Sequence, residues 1–282
     1  MNIVLWIVQI ALVSACVRSN VLPAFPYERA KVRGVVHVLC ASGSLRSAVV
    51  EMLPNEPSIK RLVAQADALY AERANLTRLR EAILSLRKGR GVEPTNYEVN
   101  WRLAKFSHYL AVHTADKSER DAALSEGSAA GAAAVKARPD EPGGHFWLGA
   151  NLGERARSQG ALKALTLVDD IRWEMEAVIK LDEGYQNGSA YMVLGQVDLS
   201  LPSLFGGDKK RAIERLERGL RFGEENAFLR LRLAEAYMAV RRKEDAQKQL
   251  SAILAMKPHP DYVPEYEEAV AEARRLLDKR FR

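Results

Sequence analysis

Three groups of residues in this 282-residue chain have types and spacings that could do chemistry. The first is "LPSLFGGDKKRAIERLERG", Leu201 to Gly219, where two glycines, an acid and three consecutive cations lead into a helical pattern. A phosphate-binding loop would read G-x-x-x-x-G-K-[ST], because a ring of backbone N–H groups wraps the phosphates and a hydroxyl holds Mg²⁺. Here Gly206 and Gly207 are adjacent, and no Ser or Thr follows Lys209 or Lys210. The stretch reads instead as a corner between two helices. The glycines supply free dihedrals, Asp208 is a good N-cap, and Ala212, Ile213, Leu216 and Leu220 recur at helical spacing. Lys209, Lys210 and Arg211 then fall in the first helical turn, where the macrodipole disfavours cations, and with only loose pairing to Glu214 they form a solvated basic face.

The second group is the histidines and the paired acids. His37, His108, His113, His145 and His259 form no H-E-x-x-H and no i, i+4 pair. His108 and His113 are five apart and point to different helix faces, so no metal site is expected. Asp169 and Asp170 are adjacent beside an apolar run, but neighbours on a helix do not face each other, which argues against acid–base work. They are expected to start the helix "IRWEMEAVIKL", with Asp170 as its N-cap. No nucleophile elbow, activated Cys–His arrangement or dinucleotide motif occurs. The expectation is a chain with no catalytic residue, no metal and no cofactor.

The third group is the two cysteines, Cys16 and Cys40. "MNIVLWIVQIALVSACVRSN" holds an apolar run from Ile3 to Val13 that is too short to span a bilayer and suits a signal-peptide core, so residues 1–15 are expected to be a signal peptide. Val13-Ser14-Ala15-Cys16 resembles a bacterial lipobox, whose small residues let a peptidase close on the bond before a lipid-bearing cysteine. That makes Cys16 the expected lipidation site and the first mature residue. A plain secretory signal cut at the same bond, or a different start codon, fits the same residues. Cys40 is expected to be a small buried hydrophobe rather than half of a disulfide.

The elements that must position anything functional are helices. Residues 16–57 carry Pro23, Pro26, Pro54 and Pro57 and read as a tether, with a possible short helix near Leu45 to Leu53. From Ser58 to the end, helix follows helix, punctuated by "VEPTNYE", "ARPDEPGGH", "KLDEGYQNG", "FGEEN" and "MKPHPDY". Hydrophobic residues make up 48% and charged residues 28%, which fits a globular chain. The formal net charge is +6, but acids and bases interleave along the helices, so no nucleic-acid stripe is expected.

Four segments share a large apolar residue followed by Ala or Gly: Leu103-Ala104, Leu148-Gly149, Leu194-Gly195 and Leu233-Ala234. Each small residue would let the second helix of a hairpin approach the first closely. The pattern resembles the tetratricopeptide repeat, best in "LAEAYMAVRRKEDAQKQLSAILAMKP", where Tyr237, Ala246 and Pro258 take the repeat's offsets. The spacing exceeds the usual repeat of about 34 residues. Extra length is expected in "HTADKSERDAALSEG", "RSQGALKALTLVDDI" and "SLPSLFGGDKK". The fold expected is therefore all-α, an irregular tetratricopeptide-type α-solenoid of helical hairpins over residues 58–282. An amphipathic C-terminal helix, Glu265 to Phe281, caps it.

A more specific resemblance lies in "HFWLGANLGERARSQGALKALTLVDDIRWEMEAVIKLDEGYQNGSAYMVLGQ", "LPSLFGGDKKRAIERLERGL", "NAFLRLRLAEAYM" and "PDYVPEYEEAVAEARRLL". These are similar to the TatT family, tetratricopeptide lipoproteins associated with bacterial TRAP transporters. The resemblance implies a non-enzymatic helical scaffold, exported and membrane-anchored on the periplasmic side, that works with a periplasmic solute-binding protein. Carriage of a small apolar or lipid ligand in the concave groove is the competing expectation.

In tetratricopeptide folds the first helix of each hairpin lines the concave side. Residues two before, two after and five after the first residue of the Leu-Ala/Gly pair point into the groove. Transferred to this chain, that gives Trp101, Lys105 and His108; Phe146, Ala150 and Gly153; Met192, Gln196 and Leu199; and Leu231, Glu235 and Met238. Aromatics and methionines with a few polar groups suit an adaptable site, and the same residues would also serve as inter-helix core.

Overall fold

Capping side chains punctuate the chain into hairpins. Asn75 accepts from Thr77 N at 3.0 Å, Asn96 from Val99 N at 3.1 Å, Asp116 from Ser118 N at 2.7 Å and Asn226 from Leu229 N at 3.0 Å, each supplying an acceptor to a helix N-terminus that lacks one. Where no side chain caps, Pro142 and Pro264 occupy the first turn, in which a missing N–H costs nothing. The structure is a computed structural model and describes residues 58–259 and 262–281. The expected signal peptide, the tether and both cysteines lie outside the described residues.

The elements are α1 (Ile59–Tyr70), α2 (Leu76–Val92), α3 (Tyr97–His113), α4 (Lys117–Ala137), α5 (Pro142–Ser158), α6 (Ala161–Leu165), α7 (Val168–Leu181), α8 (Ser189–Ser200), α9 (Lys209–Leu220), α10 (Ala227–Ala239), α11 (Lys243–Ala255) and α12 (Val263–Arg280). A single 3₁₀ turn, Ser203–Phe205, lies between α8 and α9. No strand occurs among the described residues. The fold is an all-α solenoid of tetratricopeptide type. Hairpins α1–α2, α3–α4, α5–α7, α8–α9 and α10–α11 stack in order, with their first helices side by side as the inner layer and α12 packed on α10 and α11.

The paired Leu-Ala/Gly positions are packing positions. Ala104 and Ala234 are fully buried, and a Cβ on Gly149 would meet Met175 Cε at 2.4 Å. On Gly195 it would meet Leu216 Cγ at 2.6 Å and Ala212 O at 3.2 Å. Each contact is to the second helix of the same hairpin, so a missing side chain sets the distance between its helices.

Two sequence expectations are corrected. The extra length expected in "HTADKSERDAALSEG" forms no separate element; from Lys117 on the segment is part of the 21-residue helix α4. Asp170 does not cap α7, because the helix begins at Val168 after Leu167, and Asp169 and Asp170 sit in its first turn, where the macrodipole favours acids. The short helix α6 occupies the extra length between α5 and α7.

Candidate functional site

The inner layer curves around a half-open cavity of about 1570 Å³, larger than the roughly 300–1,000 Å³ of a pocket for a drug-sized ligand. Of the groove residues expected from sequence, Lys105, His108, Phe146, Ala150, Gly153, Met192 and Gln196 line it. Trp101, Leu199, Leu231, Glu235 and Met238 do not. Trp101 donates from Nε1 to Glu98 at 3.0 Å and lies under the Arg102 guanidinium, which turns it away from the space. Leu231 is 1% exposed and belongs to the core shared by α9, α10, α11 and α12. Leu199 and Met238 pack against that same core, and Glu235 pairs with Arg232 at 2.8 Å. From α10 the lining residues are instead Ala227, Phe228 and Arg232, while Leu231 is buried in that shared core.

Aromatic rings anchor one wall. Tyr70 stacks on Phe106 at 4.0 Å, and Phe146 meets Trp147 edge-on at 4.9 Å and Tyr185 at 5.5 Å. His108 lies 5.8 Å from the Trp147 ring. Burial pushes its imidazole down to about 4, so it stays neutral at physiological pH. The Lys105 ammonium faces two rings, 4.8 Å from the Tyr70 centroid and 5.7 Å from that of Trp147. Burial, then the neighbouring Arg73, lowers its pKa below the ordinary lysine value.

The opposite side is closed by α12, through ion pairs. Glu265 accepts from Arg73 Nε at 2.9 Å and Nη2 at 2.7 Å, across 192 residues of sequence. Glu268 lies 2.8 Å from His113 Nε2, and His113 Nδ1 lies 2.7 Å from the Tyr109 carbonyl. Burial alone would lower the His113 pKa, but the Glu268 carboxylate and the Tyr109 carbonyl outweigh it and raise it. The expected capping helix therefore also joins the last hairpin to the first two.

The "FGGDKK" corner is a structural joint. Asp208 caps α9, accepting from Lys210 N at 2.8 Å and Arg211 N at 3.1 Å. Gly206 adopts φ 81°, and a Cβ on Gly207 would meet Leu201 O at 1.8 Å. The cations are organised by a residue that the sequence reading passed over. Asp198, fully buried, accepts from Arg172 Nη2 at 2.9 Å, Arg211 Nε at 2.8 Å and Nη2 at 2.6 Å, and Arg215 Nη1 at 2.8 Å. Arg172 and Arg211 also donate to Gly206 O at 2.9 Å and 2.7 Å. Arg211 is thus bound to Asp198 rather than left on a solvated face, whereas Lys210 lies 3.8 Å from Glu214, a loose pair. The findable signal was an aspartate at i+4 from Leu194 and i+3 from Gly195, on the buried face of an apolar helix.

The remaining buried histidine is satisfied within the fold. His145 Nδ1 lies 2.6 Å from Glu174, and its Nε2 lies 3.0 Å from the Pro139 carbonyl. Among the described residues no cluster of His, Cys, Asp and Glu could hold a metal ion, and no helix is long and apolar enough to cross a membrane.

The architecture has parallels among solved structures. A thermophilic tetratricopeptide repeat protein of Thermus thermophilus is 18% identical with a TM-score of 0.56, covering 76% of this chain and 100% of its own. The pilF protein of Pseudomonas aeruginosa is 16% identical with a TM-score of 0.52, covering 78% of this chain and 90% of its own. At these identities the likeness is of fold, a fold that is in general non-catalytic. No curated protein sequence matches the chain. The family model of the TRAP transporter T-component matches residues 104–280, from the inner helix α3 to the closing helix α12. By that match over most of its length, the chain belongs to the TRAP transporter T-component family.

Proposed function

We propose that the protein is a non-enzymatic helical scaffold that works on the periplasmic side with a TRAP-type solute-binding protein. The observation that carries this reading is the family match across the inner layer and closing helix. The solenoid supplies what such a scaffold needs, a rigid curved surface with exposed apolar groups such as Leu204, 88% exposed, and Trp173, 72% exposed. Cross-linking in native membranes followed by identification of the linked proteins tests it. A periplasmic solute-binding protein should be recovered on the chain, and its absence from cross-links that capture other neighbours would reject the reading.

Anchoring through lipid on Cys16 belongs to the same proposal. The small residues before Cys16 suit lipoprotein processing, and more than one acyl chain is needed for stable anchoring. Metabolic labelling with a fatty-acid analogue should mark the wild type and not Cys16→Ser, which should also leave the membrane fraction. Equal labelling of both would remove the anchor from the account.

A second reading is favoured by the half-open cavity: carriage of an apolar or amphiphilic ligand. Its apolar stretches and the bridge that α12 makes along one side suit a solute with an apolar part to be kept from water. The two readings are compatible, since a scaffold docked to a solute-binding protein would be placed to receive or deliver that solute.

A further inference from the structure

Lys105 sits on the inner face of α3 and opens into the cavity. Two carboxylates are close enough to act on its charge, Asp67 from α1 and Glu265 from α12. Both are engaged elsewhere: Asp67 accepts from Arg102 Nε at 2.9 and 3.0 Å, and Glu265 takes both donors of the Arg73 fork. Each neighbouring carboxylate is thus matched by a guanidinium, and Arg73 and Arg102 add repulsion. Lys105 carries the positive charge left over, with only the Tyr70 and Trp147 rings against it. A desolvated ammonium without a counter-ion is costly, and an anion in the cavity would offset that cost.

The same cavity carries an apolar stretch, Phe146, Ala150, Ile171, Val193 and Val197 of α5, α7 and α8, beside the polar Glu154, Arg157 and Gln196. We infer that the cavity takes an amphiphile with an anionic head and an aliphatic chain, the head held by the Lys105 ammonium and the chain laid along the α5–α8 wall. This assignment rests on the carrier reading and gives it a chemical class. A neutral lipid would leave Lys105 uncompensated, and a small hydrophilic anion would leave the apolar wall in contact with water. His108, kept neutral by its burial, adds no second charge, so one negative charge on the head matches the site. A carboxylate supplies that single charge, whereas a monoalkyl phosphate brings closer to two at neutral pH and so serves as the contrasting head.

The test uses the full chain and the fluorescent probe dansylaminoundecanoate, displaced in turn by dodecanoate, dodecyl phosphate, dodecanol and acetate. Wild type should bind the probe and release it to dodecanoate or dodecyl phosphate, the stronger of the two identifying the head, while acetate fails. Lys105→Met should weaken dodecanoate by about ten-fold or more and leave dodecanol unchanged. Lys105→Arg should retain most of the anion affinity. If Lys105→Met folds poorly, the pH dependence of the wild type gives the same answer. Dodecanoate affinity should then fall as pH rises through the lowered Lys105 pKa, with dodecanol unaffected. Equal dodecanoate affinity in wild type and Lys105→Met, or a flat pH profile, would overturn the head assignment while leaving the carrier reading standing. Failure of well-folded wild type to bind any of the long-chain probes would overturn the carrier reading itself.

Discussion

The two sides of the cavity are held by different physics. The inner layer from α3 to α8 is built on close approach and buried apolar contact, with Leu103 and Ala104 fully buried and Met175 filling the space left by Gly149. The side formed by α12 is joined to the first hairpins through ion pairs, Arg73–Glu265 and His113–Glu268. Apolar packing responds little to pH and salt, whereas partly exposed ion pairs respond to both. One wall is therefore a fixed template and the other a closure whose strength the surroundings set.

The largest effects should come from the inner layer, which besides its apolar contacts holds the buried Asp198 network. Asp198→Ala leaves three guanidiniums gathered around an absent charge, and by the rule for breaking a buried pair it should cost about 3–5 kcal/mol. Thermal melts of the purified protein check this, and an unchanged melting temperature would refute the joint. Gly195→Leu and Gly149→Leu should each cost about 1–3 kcal/mol by overpacking, since Leu216, Met175 and backbone already occupy the space.

Effects on the closure should be smaller. Arg73→Ala removes both donors to Glu265 and the guanidinium 5.0 Å from the Tyr70 ring, and on the order of 1.5–3 kcal/mol should be lost. Hydrogen exchange should show this loss concentrated in α12, and protection unchanged there would mean that the pair does not hold the closure.

The His113–Glu268 pair should contribute least and only over part of the pH range. The folded His113 pKa is raised, so its contribution is fully present below the ordinary histidine pKa of about 6.5 and is lost as pH rises through the raised folded value. His113→Gln should therefore cost more stability at acidic pH than at alkaline pH, where only the contacts with Tyr109 remain to be lost. A stability difference that is the same across the range would assign His113 to packing on Tyr109 alone, where the rings stack at 3.9 Å.

The packed side was also the legible side. Leu-Ala/Gly pairs recur because a hairpin cannot close over a larger second residue, so pattern alone located the inner helices and most of the groove on α3, α5 and α8. The fourth unit escaped the pattern. Leu231 and Met238 take the same repeat positions as their counterparts, yet that face is drawn into the core that α10 shares with α9, α11 and α12. Nothing local in "LRLRLAEAYM" records which neighbour will cover it. The closure was illegible for the same reason: Glu265 and Glu268 read as the charged side of a cap, and their partners stand 192 and 155 residues away. That pairing follows from the curvature of the whole solenoid, which no single repeat encodes. Asp198 lay in plain view as an acid on an apolar face, but its three arginines come from two different helices.

The central claim is that the space inside the inner layer is the binding site, and obstructing its α5 wall tests that claim most directly. Gly153 lines the cavity, and a Cβ there would meet nothing within 4 Å. Gly153→Phe puts a ring into the space and replaces a glycine inside α5, a change that favours the helix by about 0.3–0.5 kcal/mol. The account predicts that Gly153→Phe, whose ring would stand on the α5 face that carries Phe146 and Ala150, melts at or above the wild-type temperature and binds dansylaminoundecanoate more weakly; unchanged probe affinity in a well-folded Gly153→Phe would contradict it.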